Sequence, residues 1–156
     1  MSSVFLDTNF FLDILDKKRE RHAKAKEVLK AFLDNDMALY TSSDIISTIS
    51  YFLQKKLNLK DTVINIDFIV QQVSILVATN EDFMELNKTI LEKIEEDNSL
   101  NIDYEDCMQL FLANKHNVKN ILTSDKSFCK NIKQNYDILV VALDDALIDY
   151  RGDKAS

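Results

Sequence analysis

The sequence predicts an α/β domain with a central, mostly parallel β-sheet flanked by helices. Short apolar runs that suit buried strands alternate along the 156-residue chain with longer segments whose apolar residues recur at helical spacing. Hydrophobic residues make up 46% of the chain, which is enough to fill one sizeable core. Parallel strands need crossover connections, and the alternation of strands with helices supplies them.

The predicted elements follow from local apolar patterns and from polar residues that begin helices. Strands are predicted at residues 3–6, 37–40, 74–78, 121–123 and 138–143. Helices are predicted at residues 10–15, 22–33, 43–57 with Ser43 as the cap, 61–73 starting at Asp61, 80–94 and 103–116. We therefore predict a single domain over residues 1–156, with residues 144–156 as a C-terminal tail.

Glycine and proline are almost absent from the chain. It contains one glycine, Gly152, and no proline. Phosphate-cradling loops and dinucleotide-binding turns both need glycines where the backbone approaches the ligand, so both classes of site are excluded. Turns must instead use Asn, Asp and Ser, which tolerate left-handed or side-chain-bonded conformations, and we expect them at Asn35-Asp36, Asn58, Asn98-Ser99 and Asn117.

Charge and cysteine content limit the function further. A formal net charge of -7 argues against a general polyanion-binding protein, because non-specific nucleic-acid affinity depends on Lys and Arg. Two histidines and two separated cysteines, Cys107 and Cys129, cannot form a conventional zinc site, so we expect buried thiols. No apolar run is long enough to span a membrane and no secretory signal precedes the first strand, which predicts a cytoplasmic protein.

Aspartates occupy the positions where this fold places its ligands. Asp7 follows the first strand and Asp125 follows the strand at residues 121–123, so both belong at the carboxyl edge of the sheet. Asp103 and Asp106 are three residues apart at the start of the helix before that strand, and they share a helical face. Each aspartate also has a structural alternative as a helix cap or turn residue, but together their positions favour a functional site.

A cluster of carboxylates requires compensation. Two like charges about 4 Å apart repel by roughly 4 kcal/mol at an effective dielectric constant of 20. A bound divalent cation removes this cost, and oxygen ligands suit Mg²⁺ or Mn²⁺. Such a cation activates a water molecule for attack on a phosphodiester, so a nuclease remains compatible with the acidic composition.

Three segments resemble the PIN domain nucleases. Residues 4–12 (VFLDTNFFL) resemble the opening motif of the family, and residues 103–109 (DYEDCMQ) and 121–128 (ILTSDKSF) resemble its second half. Many members are VapC-type toxins of toxin–antitoxin pairs. The resemblance implies a PIN-like three-layer fold, an RNA substrate, an antitoxin partner and a homodimer.

The same resemblance implies roles for individual residues. The three catalytic aspartates, which would bind Mg²⁺ or Mn²⁺, are Asp7, Asp106 and Asp125. Asp103 would be an accessory carboxylate at the metal. The supporting residues, which act through hydrogen bonds, would be Thr8, Asn9 and Ser124.

One position departs from the family pattern. The family usually has a glutamate on the helix after the second strand, and Thr48 occupies that position here. A hydroxyl cannot neutralise a cation, so we expect weaker metal binding and assign Thr48 a supporting role. Asp44 is the nearest carboxylate that could replace the glutamate. The alternative function is a PIN-like domain that has lost catalysis and acts as a binding module.

Two further groups of residues have open interpretations. Basic residues at positions 17–26 could guide RNA phosphates or could simply form a solvated helix face. By their spacing, five aromatic residues are expected mostly in the core: Phe10, Phe11, Tyr51, Phe52 and Tyr104. Tyr51 and Tyr104 also have an alternative role in stacking on a base.

Overall fold

The computed structural model describes residues 2–99, 103–123, 136 and 138–146. The strands are β1 (Ser3–Leu6), β2 (Ala38–Ser42), β3 (Ser74–Leu76), β4 (Asn120–Thr123) and β5 (Leu139–Ala142). The helices are α1 (Thr8–Leu15), α2 (His22–Asp34), α3 (Ser43–Gln54), α4 (Leu59–Gln72), α5 (Asn80–Glu96) and α6 (Tyr104–Lys115). A short 3₁₀ helix follows β5 at Leu143–Asp145.

The five strands form one sheet in the order β3-β2-β1-β4-β5. Every pairing between them is parallel, with Phe5 of β1 opposite Tyr40 of β2 on one side and Ile121 of β4 on the other. The chain therefore builds outward from β1 through β2 to β3, and then returns past β1 to add β4 and β5. This arrangement confirms the predicted α/β fold with a central parallel sheet.

Helices cover the sheet in two groups. Helix α1 contacts α2 and α3, and α3 contacts α4, whereas α5 contacts α6. Crossovers between parallel strands are right-handed, so connections that run outward and connections that run back lie on opposite faces of the sheet. The first four helices therefore cover one face, and α5 and α6 cover the other.

The central strands carry the most buried side chains. Val4, Phe5 and Leu6 of β1 are fully buried, as are Ile121 and Leu122 of β4 to within 1% exposure. Each such side chain contributes about 1.5–3 kcal/mol to folding through the hydrophobic effect. Burial of β1 along its length holds the residue that follows it, Asp7, in a rigid position.

Left-handed turns occur where the sequence predicted them. Asp36 has a φ angle of 53° between α2 and β2, and Asn117 has a φ angle of 57° between α6 and β4. Asn and Asp tolerate this conformation better than other side chains that have a Cβ atom. These turns replace the glycines that such connections commonly use, and the prediction is confirmed at both positions.

Some element boundaries differ from the prediction. Ser42, rather than Ser43, caps α3, because β2 continues to Ser42 and its hydroxyl accepts a hydrogen bond from the Ile45 N–H at 3.2 Å. Helix α4 begins before Asp61, because the side chain of Asn58 accepts from the Asp61 N–H at 2.8 Å.

Strand β3 is also shorter than predicted. It ends at Leu76, which pairs with the last residue of β2, Ser42. Beyond that pair the neighbouring strand offers no further backbone partner, and residues 77–78 therefore leave the ladder.

Two other expectations concern single residues and membrane association. Cys107 is fully buried, as predicted, whereas Cys129 and residues 147–156 of the predicted tail lie outside the described residues. Among the helices that the structure describes, none combines the length and the apolar character needed to cross a membrane.

Candidate active site

Asp7 lies at the carboxyl end of the central strand β1. Its side chain is 6% exposed and accepts a hydrogen bond from the Phe10 N–H at 3.0 Å, which makes Asp7 the N-cap of α1. The cap satisfies one of the free N–H groups at the start of the helix and places the carboxylate near its positive end. The structural and functional interpretations of Asp7 are therefore compatible.

The position of Asp7 is also the point where the strand order reverses. Strands β2 and β4 lie on either side of β1, and the chain adds strands in opposite directions from there. Ligand sites of open α/β sheets lie outside the carboxyl ends of the strands at such a point. Thr123, the last residue of β4, hydrogen-bonds to the Asp7 carboxylate across this point.

Burial makes the charge on Asp7 costly. Desolvation is the main cause that raises the pKa of Asp7 from its ordinary value of 3.8 to about 6, and the nearby Asp13 carboxylate adds to the rise. Hydrogen bonds from the Phe10 N–H, from Thr123 and from the Asn9 N–H lower the pKa, but they do not offset burial. A cation near Asp7 would stabilise the ionised form.

Asp13 is a second buried carboxylate beside Asp7, and sequence reasoning did not identify it. It is 4% exposed, and its side chain accepts from the Arg19 Nε at 2.6 Å. The backbone carbonyl of Asp13 also lies 2.9 Å from His22 Nδ1. The pairing with Arg19 shows that Asp13 is held as an ion pair inside the protein and does not face the surface.

Helix α6 presents carboxylates from its first turn. Asp103 caps the helix, because its side chain accepts from the Asp106 N–H at 3.1 Å, and Glu105 and Asp106 follow in the first turn. The helix dipole favours negative charge at this end. Partial burial raises the pKa of Glu105, and the neighbouring charges of Asp103 and Asp44 raise it further.

These elements enclose an open cleft of about 300 Å³, called here the acidic cleft. It is lined by Asp7, Thr8, Asn9, Thr48, Phe52, Asp103, Glu105, Asp106 and Gln109. The structure therefore brings together six of the predicted site residues, from β1, α1, α3 and α6. The remaining two, Ser124 and Asp125, lie outside the described residues, although β4 leads directly to them.

Two buried polar atoms in the lining of the acidic cleft have no partner in the part of the chain that the structure describes. The Thr8 hydroxyl and the Gln109 side-chain carbonyl oxygen are both inaccessible to solvent and form no hydrogen bond with the described residues. An unpaired buried polar group costs about 1–3 kcal/mol. Such groups at one cleft are explained if a ligand or an ordered water completes their hydrogen bonds.

The donor set of the acidic cleft fits a hard divalent cation. All its charged side chains are carboxylates, and the buried carbonyl of Gln109 is a further oxygen donor. Within the described part of the chain, no three His, Cys, Asp or Glu side chains form a closed metal-binding group. An open arrangement still suits Mg²⁺, which commonly uses one or two carboxylates and keeps several waters.

Comparison with known proteins identifies the family of the chain. The sequence model of the PIN domain matches residues 4–133. The chain belongs to the PIN domain family. The chain is 35% identical over 125 residues to Ribonuclease VapC1 of Aquifex aeolicus (strain VF5), a match that covers 80% of this chain and 83% of the relative. The predicted resemblance to VapC-type PIN ribonucleases is therefore confirmed.

Solved structures of PIN domain proteins share the fold. VapBC-1 of nontypeable Haemophilus influenzae superposes with a TM-score of 0.68 at 12% identity, over 91% of this chain and 98% of that chain. VapC20 of Mycobacterium tuberculosis, described as a toxin that cleaves the sarcin–ricin loop, superposes with a TM-score of 0.62 at 15% identity. That match covers 82% of this chain and 94% of VapC20. The predicted PIN-like fold is confirmed by both.

The departure of this PIN domain from the family pattern is visible in the acidic cleft. Thr48 lines the cleft from α3, and its hydroxyl donates to the Asp44 carbonyl at 3.0 Å. Asp44 itself is exposed and does not line the cleft. Thr48 thus lies in the wall where the resemblance described above implies a glutamate, and the charge of Asp44 acts on Glu105 in the cleft.

Sequence reasoning missed three residues that line the cleft of this PIN domain. Glu105 and Gln109 come from α6, and Phe52 comes from α3. A helical signal for Gln109 was available, because it follows Asp106 by three residues and therefore lies on the same face. No comparable signal marked Phe52, because aromatic residues are far more often buried than exposed beside a site.

The expectations for aromatic and basic residues are confirmed only in part. Phe10 and Phe11 lie in the core, but three residues expected there are exposed: Tyr51 at 60%, Phe52 at 42% and Tyr104 at 46%. Most of the basic residues of positions 17–26 are at least partly exposed, and none of them lines the acidic cleft. These basic residues therefore fit the interpretation of a solvated face better than that of a phosphate guide.

Proposed function

We propose that this PIN domain chain is a Mg²⁺- or Mn²⁺-dependent endoribonuclease that hydrolyses RNA phosphodiesters. The observation that carries the proposal is the acidic cleft, in which Asp7, Asp103 and Asp106 meet at the reversal point of the sheet. Cleavage of the sarcin–ricin loop by VapC20 and the name of Ribonuclease VapC1 support an RNA substrate.

The proposed metal-binding residues are those implied by the family. Asp7, Asp106 and Asp125 are assigned as ligands, with Asp103 as the accessory carboxylate. When bound, the divalent cation would activate a water molecule and stabilise negative charge on the scissile phosphate. Asp7 fits this assignment because it is buried and held by the Phe10 N–H, so its carboxylate is fixed in place before any ligand arrives.

The remaining cleft residues are assigned to orientation. The Thr8 hydroxyl would donate or accept a hydrogen bond with waters or substrate groups, and the Gln109 carbonyl oxygen would accept one, because neither has a partner among the described residues. Asn9, Thr48 and Ser124 are assigned the supporting roles predicted from the sequence. Preorganised groups of this kind avoid the cost of reordering side chains during the reaction.

We also propose that the chain is the toxin of a toxin–antitoxin pair. The VapBC-1 structure, with which this fold superposes, supports an antitoxin partner. Exposed apolar side chains on α4 support a homodimer. Leu59, Val63 and Ile64 are each more than half exposed, and a second copy of the chain would cover this apolar surface. This function places the chain, its antitoxin and its RNA substrate in the cytoplasm.

The test is RNA cleavage by the wild type and by Asp7→Asn, purified identically. Single-stranded and structured RNAs are incubated with Mg²⁺ or Mn²⁺, and parallel samples contain EDTA. We expect cleavage that needs the metal and falls by at least about 100-fold in Asp7→Asn. The asparagine can still accept the N-cap hydrogen bond, so loss of activity will not reflect loss of α1.

Asp34→Asn is the matched control for this test. Asp34 makes an exposed ion pair with Lys30, so the same chemical change there should leave cleavage intact. Equal activity of the wild type and Asp7→Asn would contradict the proposed site. Cleavage that persists in EDTA would contradict the metal dependence.

A second candidate function is an RNA-binding or protein-binding module without catalysis. The specific observation in its favour is Thr48, whose hydroxyl brings no negative charge to the cleft wall where the family carries a glutamate. This candidate predicts that the wild type binds its partner but cleaves no RNA at any metal concentration. Crowding of several carboxylates in one cleft argues against it, because a binding module gains nothing from their repulsion.

A further inference from the structure

Helix α3 carries an exposed stripe beside the acidic cleft. Thr48, Tyr51, Phe52 and Lys55 follow the spacing i, i+3, i+4 and i+7, which places them along one face of the helix. We call these four residues the α3 stripe. Thr48 and Phe52 line the acidic cleft, so the stripe begins at the candidate active site and leads away from it.

The aromatic rings of the α3 stripe are unusually exposed. Tyr51 is 60% exposed and Phe52 is 42% exposed, whereas the next residue, Leu53, is buried. The two rings meet edge to face, with centroids 5.7 Å apart and an interplanar angle of 70°. This contact orients the rings relative to each other and leaves aromatic surface in contact with water, where a planar ligand can stack.

Lys55 places a positive charge over these rings. Its Nζ atom lies 4.3 Å from the centroid of Tyr51 and 5.5 Å from that of Phe52. The neighbouring cations are already paired, Lys56 with Asp16 at 2.9 Å and Arg19 with Asp13 at 2.6 Å. Among the described residues Lys55 has no carboxylate partner, so its charge is available to an anionic ligand.

A small apolar pocket adjoins the Phe52 ring. It has a volume of about 100 Å³, and its lining includes Leu12, Phe52, Leu53 and Lys55. An enclosed cavity of roughly 150 Å³ holds a benzene ring, so this open pocket can hold part of a planar ring. Phe52 lines both the apolar pocket and the acidic cleft, so the two cavities lie on either side of this side chain.

We propose that Tyr51, Phe52 and Lys55 form a nucleotide-binding subsite for single-stranded RNA. The subsite lies next to the acidic cleft, where the RNA strand would be cleaved. A base of the substrate stacks on the exposed rings, and Lys55 contacts a neighbouring phosphate. The proposal deepens the proposed function and rests on it. Aromatic stacking with an adjacent cation is the usual way in which proteins bind single strands, whose bases are accessible.

The charges of the molecule favour RNA over a protein segment as the occupant. The chain has a net charge of -7, and its acidic cleft repels phosphates until cations are bound. An RNA substrate therefore needs a local positive charge close to the cleft, and Lys55 supplies one directly over an aromatic surface. An apolar protein segment would need no such cation.

The first test measures binding separately from cleavage. In an Asp7→Asn background, the affinity for a fluorescein-labelled single-stranded RNA of eight nucleotides is measured by anisotropy in Mg²⁺. We expect Tyr51→Ala to weaken binding by about 5- to 100-fold and Tyr51→Phe to retain the affinity. Lys55→Gln should reduce the slope of log affinity against log salt by about 0.7.

Phe68→Ala is the matched control. Phe68 is 44% exposed, so its ring is as accessible as that of Phe52, but it lies on α4 and does not belong to the α3 stripe. The control should leave RNA affinity unchanged. Equal effects of Phe68→Ala and Tyr51→Ala, or unchanged affinity in Tyr51→Ala, would overturn the subsite and would leave the α3 stripe as a surface for a protein partner.

Photo-crosslinking locates the base directly. An RNA with one 5-iodouracil is irradiated with the full-length Asp7→Asn protein, and the crosslinked peptide is identified by mass spectrometry. Attachment at Tyr51 or Phe52 supports the subsite, and attachment elsewhere overturns it. Absence of RNA cleavage by the wild type would instead count against the proposed function, so the two failures are distinguishable.

Discussion

Asp7 meets structural and functional requirements that oppose each other. The N-cap hydrogen bond to Phe10 stabilises α1, yet burial and the nearby Asp13 make the ionised carboxylate unfavourable in the metal-free protein. A buried carboxylate whose ionised form is unfavourable is typical of a functional site, where a bound ligand stabilises the charge. Removing the charge of Asp7 should therefore change the free energy of unfolding.

We expect Asp7→Asn to stabilise the protein in EDTA at pH 7.5. The asparagine keeps an oxygen that accepts from the Phe10 N–H, while the buried charge and its repulsion by Asp13 are removed. The free energy of unfolding should rise by about 1–3 kcal/mol. Thermal denaturation followed by circular dichroism measures the change, and a lower melting temperature for Asp7→Asn would refute this account.

Thr48 offers a gain-of-function prediction at the scale of one residue. Replacing it with glutamate adds a negative charge to the wall of the acidic cleft, so a divalent cation should bind more tightly. We expect Thr48→Glu to raise the affinity for Mn²⁺ by roughly 10- to 100-fold, measured by calorimetry. At limiting Mn²⁺, Thr48→Glu should also cleave RNA faster than the wild type.

Thr48→Gln separates charge from size in that experiment. Glutamine has the length of glutamate without its charge, so it should not reproduce the gain in affinity. If both variants bind Mn²⁺ equally, the wall formed by Thr48 is not part of the metal site. If Thr48→Glu increases RNA cleavage and Thr48→Gln does not, the threonine of the wild type lowers the activity of an intact site.

Among the elements, α5 and α6 are joined by a partly buried ion pair. Asp82 is 3% exposed, belongs to the capping box of α5 with Thr79, and accepts from the Lys115 Nζ at 2.6 Å. The bonds from Lys115 and from the Thr79 N–H hold the pKa of Asp82 below its ordinary value. Since α6 carries Asp103 and Asp106, this pair also fixes one wall of the acidic cleft.

The Asp82 pair predicts a pH dependence of stability. The folded protein favours the ionised carboxylate, so the stabilisation is present above the ordinary aspartate pKa near 3.9 and is lost as the pH falls through the lower folded value. Asp82→Asn should therefore reduce the free energy of unfolding by about 1–2 kcal/mol at pH 7. The difference from the wild type should shrink as the pH falls below about 4 and should disappear once the pH is below the lowered pKa of the folded protein.

Urea denaturation at several pH values measures this effect. Glu85→Gln on the exposed face of α5 is the control, and it should match the wild type at every pH. A difference between Asp82→Asn and the wild type that is the same at pH 3 and pH 7 would contradict a role for the Asp82 charge.

Helix α3 shows how far periodicity can predict an element. The predicted helix is confirmed from Ser43, but it ends at Gln54 and not at residue 57, and Ile49 and Leu53 on its apolar side are buried. The same pattern misassigned Tyr51 and Phe52 to the core. Phe52 lies next to Leu53 at the margin of the helical face, and only the neighbouring elements decide whether anything covers it. Tyr51 is two residues from both Ile49 and Leu53, so helical spacing places it on the opposite, exposed side of the helix.

At the scale of the whole molecule, the strand order creates the site. Asp7 and Thr123 are far apart in the sequence, and they meet because β4 returns to pair with β1. Local pattern predicted both strands, but it does not encode which strands become neighbours. The likeness to a known family supplied that information before the structure did.

The sequence by itself determined the fold class, the turns at Asp36 and Asn117, and the aspartates that cap helices at the carboxyl edge. These features depend on residues close together along the chain, where periodicity and side-chain chemistry suffice. Only the tertiary structure decided that Glu105, Gln109 and Phe52 line the acidic cleft. Their places result from packing between distant elements, and burial and pairing across such contacts are properties of the folded chain as a whole.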